Sequence, residues 1–218
     1  MQKIFDTIIF DLDGTLLNTL DDLADSMNMA LAKCGFPQHT RDEIRFFVGN
    51  GIDMLVKRAM APKTDDESFT MLKTAFSEIY AVNMKNKTRP YDGINEVLKA
   101  LSEHNVKMAV VSNKHHSAVA PLIRDYFGEY IKMAVGVDEN TPKKPEPTGT
   151  LKAISLLGST PENTVYIGDS DVDIQTAKNA KVFALGCTWG FRDRALLEEN
   201  GADMIIDFPD EMLKLFGI

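Results

Sequence analysis

The chain has 218 residues, 44% hydrophobic and 26% charged, with a formal net charge of −8. This suits an ordinary globular protein of one large domain or a domain with an insertion, and the acidic balance argues against a nucleic-acid surface, which needs a basic patch. No apolar run reaches the ~20 residues of a membrane span, and Met1-Gln2-Lys3-Ile4-Phe5-Asp6 lacks a signal-peptide core.

Cys34 and Cys187 fit neither a disulfide framework nor a zinc pattern, so a reducing cytoplasm and no membrane partner are expected. In chain order, the first element is Ile8-Ile9-Phe10, an apolar run read as a strand buried on both faces. It ends in Asp11-Leu12-Asp13-Gly14-Thr15, where period-two alternation sends Asp11 and Asp13 to one side and Leu12 into the protein. Two carboxylates that close repel unless a cation or a shared proton relieves them. Taken alone, Asp-x-Asp is most often a solvated acidic turn.

Helical spacing follows. Leu20, Leu23, Ala24, Met27, Leu31 and Cys34 make one stripe, ended by Gly35-Phe36-Pro37. Thr40 with Glu43 makes a capping box for a helix ending near Val48, and Gly49-Asn50-Gly51 is a turn before a helix over Ile52–Met60. Thr64 with Glu67 makes a second box, opening a helix striped by Phe69, Leu72, Phe76, Ile79 and Tyr80. The methionines Met27, Met29, Met54, Met60, Met71 and Met84 are expected to fill the core of this region.

After a polar linker, Lys85 to Gly93, strands and helices alternate. Strands are expected at Val106–Val111, Ile131–Val135, Thr164–Ile167, Val182–Leu185 and Met204–Ile206. Helices are expected between them and at the C-terminal end. The fold class is therefore α/β, a Rossmann-like doubly wound parallel sheet. Residues 1–16 and 88–218 form its core, and residues 17–87 form a helical insertion after the first strand.

In such a sheet the carboxyl ends of the strands hold the ligand. There the sequence places Asp11, Asp13 and Thr15, then Ser112-Asn113-Lys114. It adds Lys143-Lys144-Pro145-Glu146-Pro147, and Asp169-Ser170-Asp171-Val172-Asp173. Each alone has a bland explanation, as a helix cap, a solvated lysine or an acidic helix start. Their convergence on one rim does not.

With those residues in place, the chain resembles the haloacid-dehalogenase (HAD) superfamily phosphatases that carry a helical cap. The motifs are Asp11-Leu12-Asp13-Gly14-Thr15, Ser112-Asn113, Lys144-Pro145 and Gly168-Asp169-Ser170-x-x-Asp173, and the resemblance spans essentially the whole chain. Within the superfamily it is most similar to the phosphoglycolate phosphatases, through Val48-Gly49-Asn50-Gly51, Ser112-Asn113-Lys114, Thr188-Trp189-Gly190-Phe191-Arg192 and Gly201-Ala202-Asp203. It departs from many relatives at Asn18-Thr19, where they carry Asp-Ser.

The resemblance implies hydrolysis of a small phosphomonoester with Mg²⁺, through an aspartyl-phosphate. It implies Asp11 as nucleophile and Asp13 as general acid, then base. Ser112 and the amides of Leu12 and Asn113 would bind phosphoryl oxygens, while Lys144 neutralises charge. The metal set would be the Asp11 side chain, the Asp13 carbonyl and Asp169, with Asp173 acting through water or orienting Lys144. Arg45 and the Gly49-Asn50-Gly51 amides are candidates for reading the leaving group. His115 and His116 are read as a polar helix start and Trp189 as structural.

The leading substrate is 2-phosphoglycolate. Inorganic pyrophosphate and sugar phosphates, or β-phosphoglucomutase-like chemistry, are the alternatives within the fold. An idle, phosphate-sensing interaction protein is the alternative outside catalysis, and it would show an eroded motif. The expected partner is a small phosphate ester, with a monomer or homodimer as the assembly.

Overall fold

In the computed structural model, which describes residues 5–62 and 65–218, the run Thr7–Phe10 forms strand β1, buried at every position. β2 (Leu17–Asn18) leads into α1 (Leu20–Lys33), α2 (Arg41–Phe47), α3 (Ile52–Met60) and α4 (Asp66–Asn83). After β3 (Arg89–Pro90) the chain continues through α5 (Ile94–Glu103), β4 (Lys107–His115), α6 (His116–Phe127), β5 (Met133–Val137) and α7 (Thr148–Leu156). It ends with β6 (Thr164–Gly168), α8 (Asp171–Ala180), β7 (Phe183–Cys187), α9 (Arg194–Glu199) and β8 (Met204–Ile206). The expected C-terminal helix is instead a 3₁₀ segment, Pro209–Phe216, the tighter geometry that short terminal pieces adopt.

The sheet runs β5-β4-β1-β6-β7-β8, every pair parallel. Phe10 lies level with Val110 on one side and Ile167 on the other. The residues that follow these positions therefore emerge at the same edge. The chain builds outward from β1 through β4 to β5, then returns to the other flank of β1 with β6. That reversal opens the crevice in which doubly wound sheets bind ligands. β4 is longer than the sequence suggested: Ser112, Asn113 and Lys114 lie within the strand, with a register shift against β5 between Val111 and His115. Their side chains are polar because they serve site groups, while the backbone stays extended.

The chain divides into two compact units, one ending at Leu16 and resuming at Pro90–Ile218, the other Leu17–Arg89. In the second unit, Leu23, Met27 and Leu31 of α1 and Leu72, Phe76 and Tyr80 of α4 are buried, and the Phe76 and Tyr80 rings stack with centroids 5.4 Å apart. The Thr40–Glu43 capping box forms, with the Thr40 amide donating to Glu43 Oε2 at 2.7 Å and the Glu43 amide to Thr40 Oγ1 at 3.2 Å. The box expected at Thr64 falls outside the described residues; Asp65 caps α4 by accepting from the Ser68 amide at 2.9 Å.

The methionine expectation holds only in part. Met27 and Met60 are buried, whereas Met29, Met54 and Met71 are exposed. Met29 follows Met27 by two residues, about 200° round the helix, which takes it off the apolar stripe. No helix among the described residues is long and apolar enough to cross a membrane.

The ends of the insertion are tied together by a carboxylate that the sequence did not reveal. Asp22, buried on α1, accepts from the Lys87 amide at 2.9 Å and the Thr88 amide at 2.8 Å. At the Asn18-Thr19 departure, Asn18 Oδ1 accepts a long bond from the Leu20 amide at 3.4 Å, and Thr19 caps α1 without a side-chain bond. Asp22 therefore supplies the polar anchoring of this junction. Asp22→Ala should leave the buried Thr88 amide and the part-buried Lys87 amide without their acceptor, at about 2–3 kcal/mol, lowering the melting temperature by roughly 5–10 °C. A thermal melt within 1–2 °C of wild type would contradict this anchoring role.

Candidate active site

The strand ends bring Asp11, Asp13, Ser112, Lys144, Asp169 and Asp173 into the first unit together. Lys144 is the hub. The residue is buried, and its ammonium donates to Asp11 Oδ1 at 2.6 Å, Asp173 Oδ1 at 2.7 Å and Tyr166 Oη at 3.1 Å. All three of its donors are therefore engaged. Tyr166 donates onward to the Val111 carbonyl at 3.1 Å. The backbone of Lys144 is gripped as well: its amide donates to Asn113 Oδ1 at 2.7 Å, and Asn113 Nδ2 donates to its carbonyl at 3.3 Å. The Asn113 side chain thus fixes the lysine loop to β4.

Asp173 Oδ2 accepts from Ser170 Oγ at 2.6 Å and the Ser170 amide at 3.1 Å, a capping arrangement at the start of α8. With Oδ1 on Lys144, both its oxygens are held, which fits orientation of the lysine. Asp169 accepts from the Phe191 amide at 2.6 Å and Thr15 Oγ1 at 3.2 Å. Its surroundings leave no room for a side chain. Gly14 has φ +96°, a region costly for L side chains, and a Cβ there would lie 2.5 Å from Asp169 Oδ2. A Cβ on Gly190 would lie 2.3 Å from Asp169 Cβ.

Asp13 is paired differently. Both its oxygens accept from Lys114 Nζ, at 2.8 and 2.9 Å. Ser112 Oγ accepts from the Lys114 amide at 3.2 Å. Trp189 Nε1 donates to the Thr15 carbonyl at 3.0 Å, the structural role expected for it. His115 starts α6, its Nδ1 accepting from the Ser117 amide at 3.3 Å. Arg45 lies on α2 in the other unit, its guanidinium 5.1 Å from the Phe46 ring centroid.

The electrostatics of the cluster are unbalanced. Burial pushes Asp11 well above the ordinary carboxylate range; Lys144 opposes this, while Asp173 and Asp169 reinforce it. Burial and the Asp173 charge raise Asp169 to about 7 against the pull of the Phe191 amide. Burial alone would lower Lys144, but Asp11 and Asp173 outweigh it and hold the ammonium well above its usual value. One ammonium thus faces three buried carboxylates. Oxygens of Asp11, Asp169 and Asp173 lie within 4.8 Å of one another. An all-oxygen, electron-rich, buried set is what a hard divalent cation needs, so the residues fit such an ion.

The family model for the haloacid dehalogenase-like hydrolases matches residues 8–187, from the first strand to the end of β7. The chain belongs to that family.

Among curated HAD-like relatives, the phosphoglycolate phosphatase of Mannheimia succiniciproducens is 33% identical over 99% of this chain and 100% of its own length. That of Pseudomonas syringae pv. syringae is 36% identical over 94% of this chain and 77% of its own. A solved chain from Lactobacillus delbrueckii subsp. bulgaricus superposes with a TM-score of 0.93 at 31% identity, covering 98% of both chains. A predicted phosphoglycolate phosphatase from Haemophilus somnus gives 0.90 at 30% identity over 97% of both.

Two contributors to this HAD-like site were given no role from sequence. Tyr166 sits in an apolar strand and reads as core. Lys114 reads as the polar tail of its motif, although its distance from Asp13 in sequence hides a direct ion pair.

In the metal-free protein, Asp169 binds its proton more tightly folded, titrating about 7 against an ordinary 3.8. Its contribution to stability is full below ~pH 4 and is lost as pH rises through 7. The melting temperature of the metal-free protein, measured against Asp169→Asn, should therefore fall between pH 5 and 8. Added Mg²⁺ should restore more at pH 8 than at pH 5.5. A magnesium shift that does not grow with pH would count against Asp169 as the titrating ligand.

Proposed function

We propose that this chain is a magnesium-dependent phosphatase of small phosphomonoesters, acting through an aspartyl-phosphate, with 2-phosphoglycolate its leading substrate. The observation that carries the reading is Asp11, a buried carboxylate at the end of the central strand with one oxygen 2.6 Å from Lys144 Nζ. Asp13, two residues on, lies beside it at the same sheet edge. The names and high coverage of the curated relatives support the choice of substrate.

In this reading an Asp11 oxygen attacks phosphorus as the ester P–O bond breaks. The proton on Asp13 passes to the leaving oxygen. Water, giving its proton to Asp13, then attacks phosphorus, the P–O bond to Asp11 breaks, and free phosphate and the original carboxylate result. Lys144 neutralises Asp11 and the approaching phosphoryl group. Ser112 Oγ–H and the Leu12 and Asn113 amides donate to phosphoryl oxygens, positioning phosphorus for attack. Mg²⁺, held by Asp11, the Asp13 carbonyl and Asp169, would supply charge neutralisation between carboxylate and phosphate. Asp173 orients Lys144 through its 2.7 Å contact.

The test is hydrolysis of 2-phosphoglycolate and an aryl phosphate with magnesium. Turnover should vanish with a chelator. Asp11→Asn should lower it at least about a thousandfold with the fold intact, since no alternative nucleophile shares its position. Appreciable residual hydrolysis by Asp11→Asn would remove Asp11 as the nucleophile.

A further inference from the structure

The site holds two buried lysines that do different work. Lys144 spends its three donors on Asp11, Asp173 and Tyr166. Lys114, 8% exposed at the carboxyl end of β4, directs its ammonium at both oxygens of Asp13. For Asp13 to serve a leaving oxygen, at least one of the two oxygens now on Lys114 must turn toward the ester. When it turns to the ester, it withdraws a carboxylate counter-charge from a nearly buried ammonium. Withdrawing one partner of a buried ion pair is costly unless another anion replaces it.

We propose that Lys114 reads an anionic substituent on the leaving group, which takes over the place of the Asp13 carboxylate. This rests on the phosphatase reading above and narrows it to esters whose leaving group carries a second negative charge near the ester oxygen. A carboxylate one methylene away, as in 2-phosphoglycolate, has the shape and charge of the Asp13 carboxylate it replaces. A neutral sugar hydroxyl supplies no charge to take the place of that carboxylate. Lys114 is thus a specificity residue, and Asp13 is its resident counter-ion in the ligand-free site.

The decisive quantity is a ratio: kcat/KM for 2-phosphoglycolate over that for its neutral analogue, 2-hydroxyethyl phosphate. Wild type should prefer the anion by about a hundredfold or more. Lys114→Gln should cut the ratio at least tenfold, chiefly through KM for the anionic ester, and Lys114→Arg should retain most of it. Lys114→Met replaces the glutamine variant if that protein does not melt cooperatively. A role confined to holding Asp13 would lower both rates together. An unchanged ratio in the glutamine or methionine variant therefore overturns the proposal, as does a wild type without preference for the anion, which still leaves a phosphatase. A stronger preference for pyrophosphate, lost in the same variants, would support Lys114 as the anion reader and assign the anion to a second phosphate. No hydrolysis of any ester would overturn the phosphatase reading, and this proposal with it.

Discussion

Three carboxylates and one lysine ammonium share a buried volume at the end of β1, and the arrangement of the rest follows from keeping them there. Lys144 holds Asp11 and Asp173 apart from solvent yet paired, with Tyr166 closing its third donor. A buried charge network is tolerable only when every member is satisfied. The surrounding structure supplies the satisfaction: Asn113 fixes the lysine backbone, Ser170 holds Asp173, and the Phe191 amide and Thr15 hold Asp169. The imbalance that remains, one ammonium against three carboxylates, is the electrostatic setting that suits a hard divalent cation.

Much of this was legible in the sequence because the fold writes its ligand edge as a repeated grammar, an apolar run followed by polar residues. Ile8 to Phe10 before Asp11, and Val165 to Ile167 before Asp169, are instances. The order of those runs is enough to place their ends on one rim. What escaped had no such grammar. Tyr166 is one hydroxyl away from an ordinary core residue, and only its three-dimensional neighbours show that the hydroxyl matters. Asp22 binds backbone amides more than sixty residues away, and amides leave no mark in a sequence. The exposed methionines misled because composition does not say which side of a helix a residue faces.

The two lysines illustrate the same limit at finer grain. The Lys-Pro-x-Pro pattern distinguishes Lys144 from its neighbour Lys143. Lys114 closes the Ser112-Asn113-Lys114 run, but nothing in that run names its partner Asp13, which lies in the turn after β1. The site therefore combines a cation whose identity is written in a motif with another whose role emerges only from the register of β4 beside β1.

The sheet order also shapes how the molecule reaches its native state. Thr7 pairs with Lys107 on one side and Thr164 on the other, so the central strand is made first and both its partners follow a hundred or more residues later. The helical unit Leu17–Arg89 is synthesised in full before either partner strand exists. Loop-closure entropy delays the distant pairings. During synthesis an apolar strand ending in acidic residues must wait, exposed, while a whole helical unit assembles behind it. The charges at its end are well placed to discourage premature pairing between nascent chains.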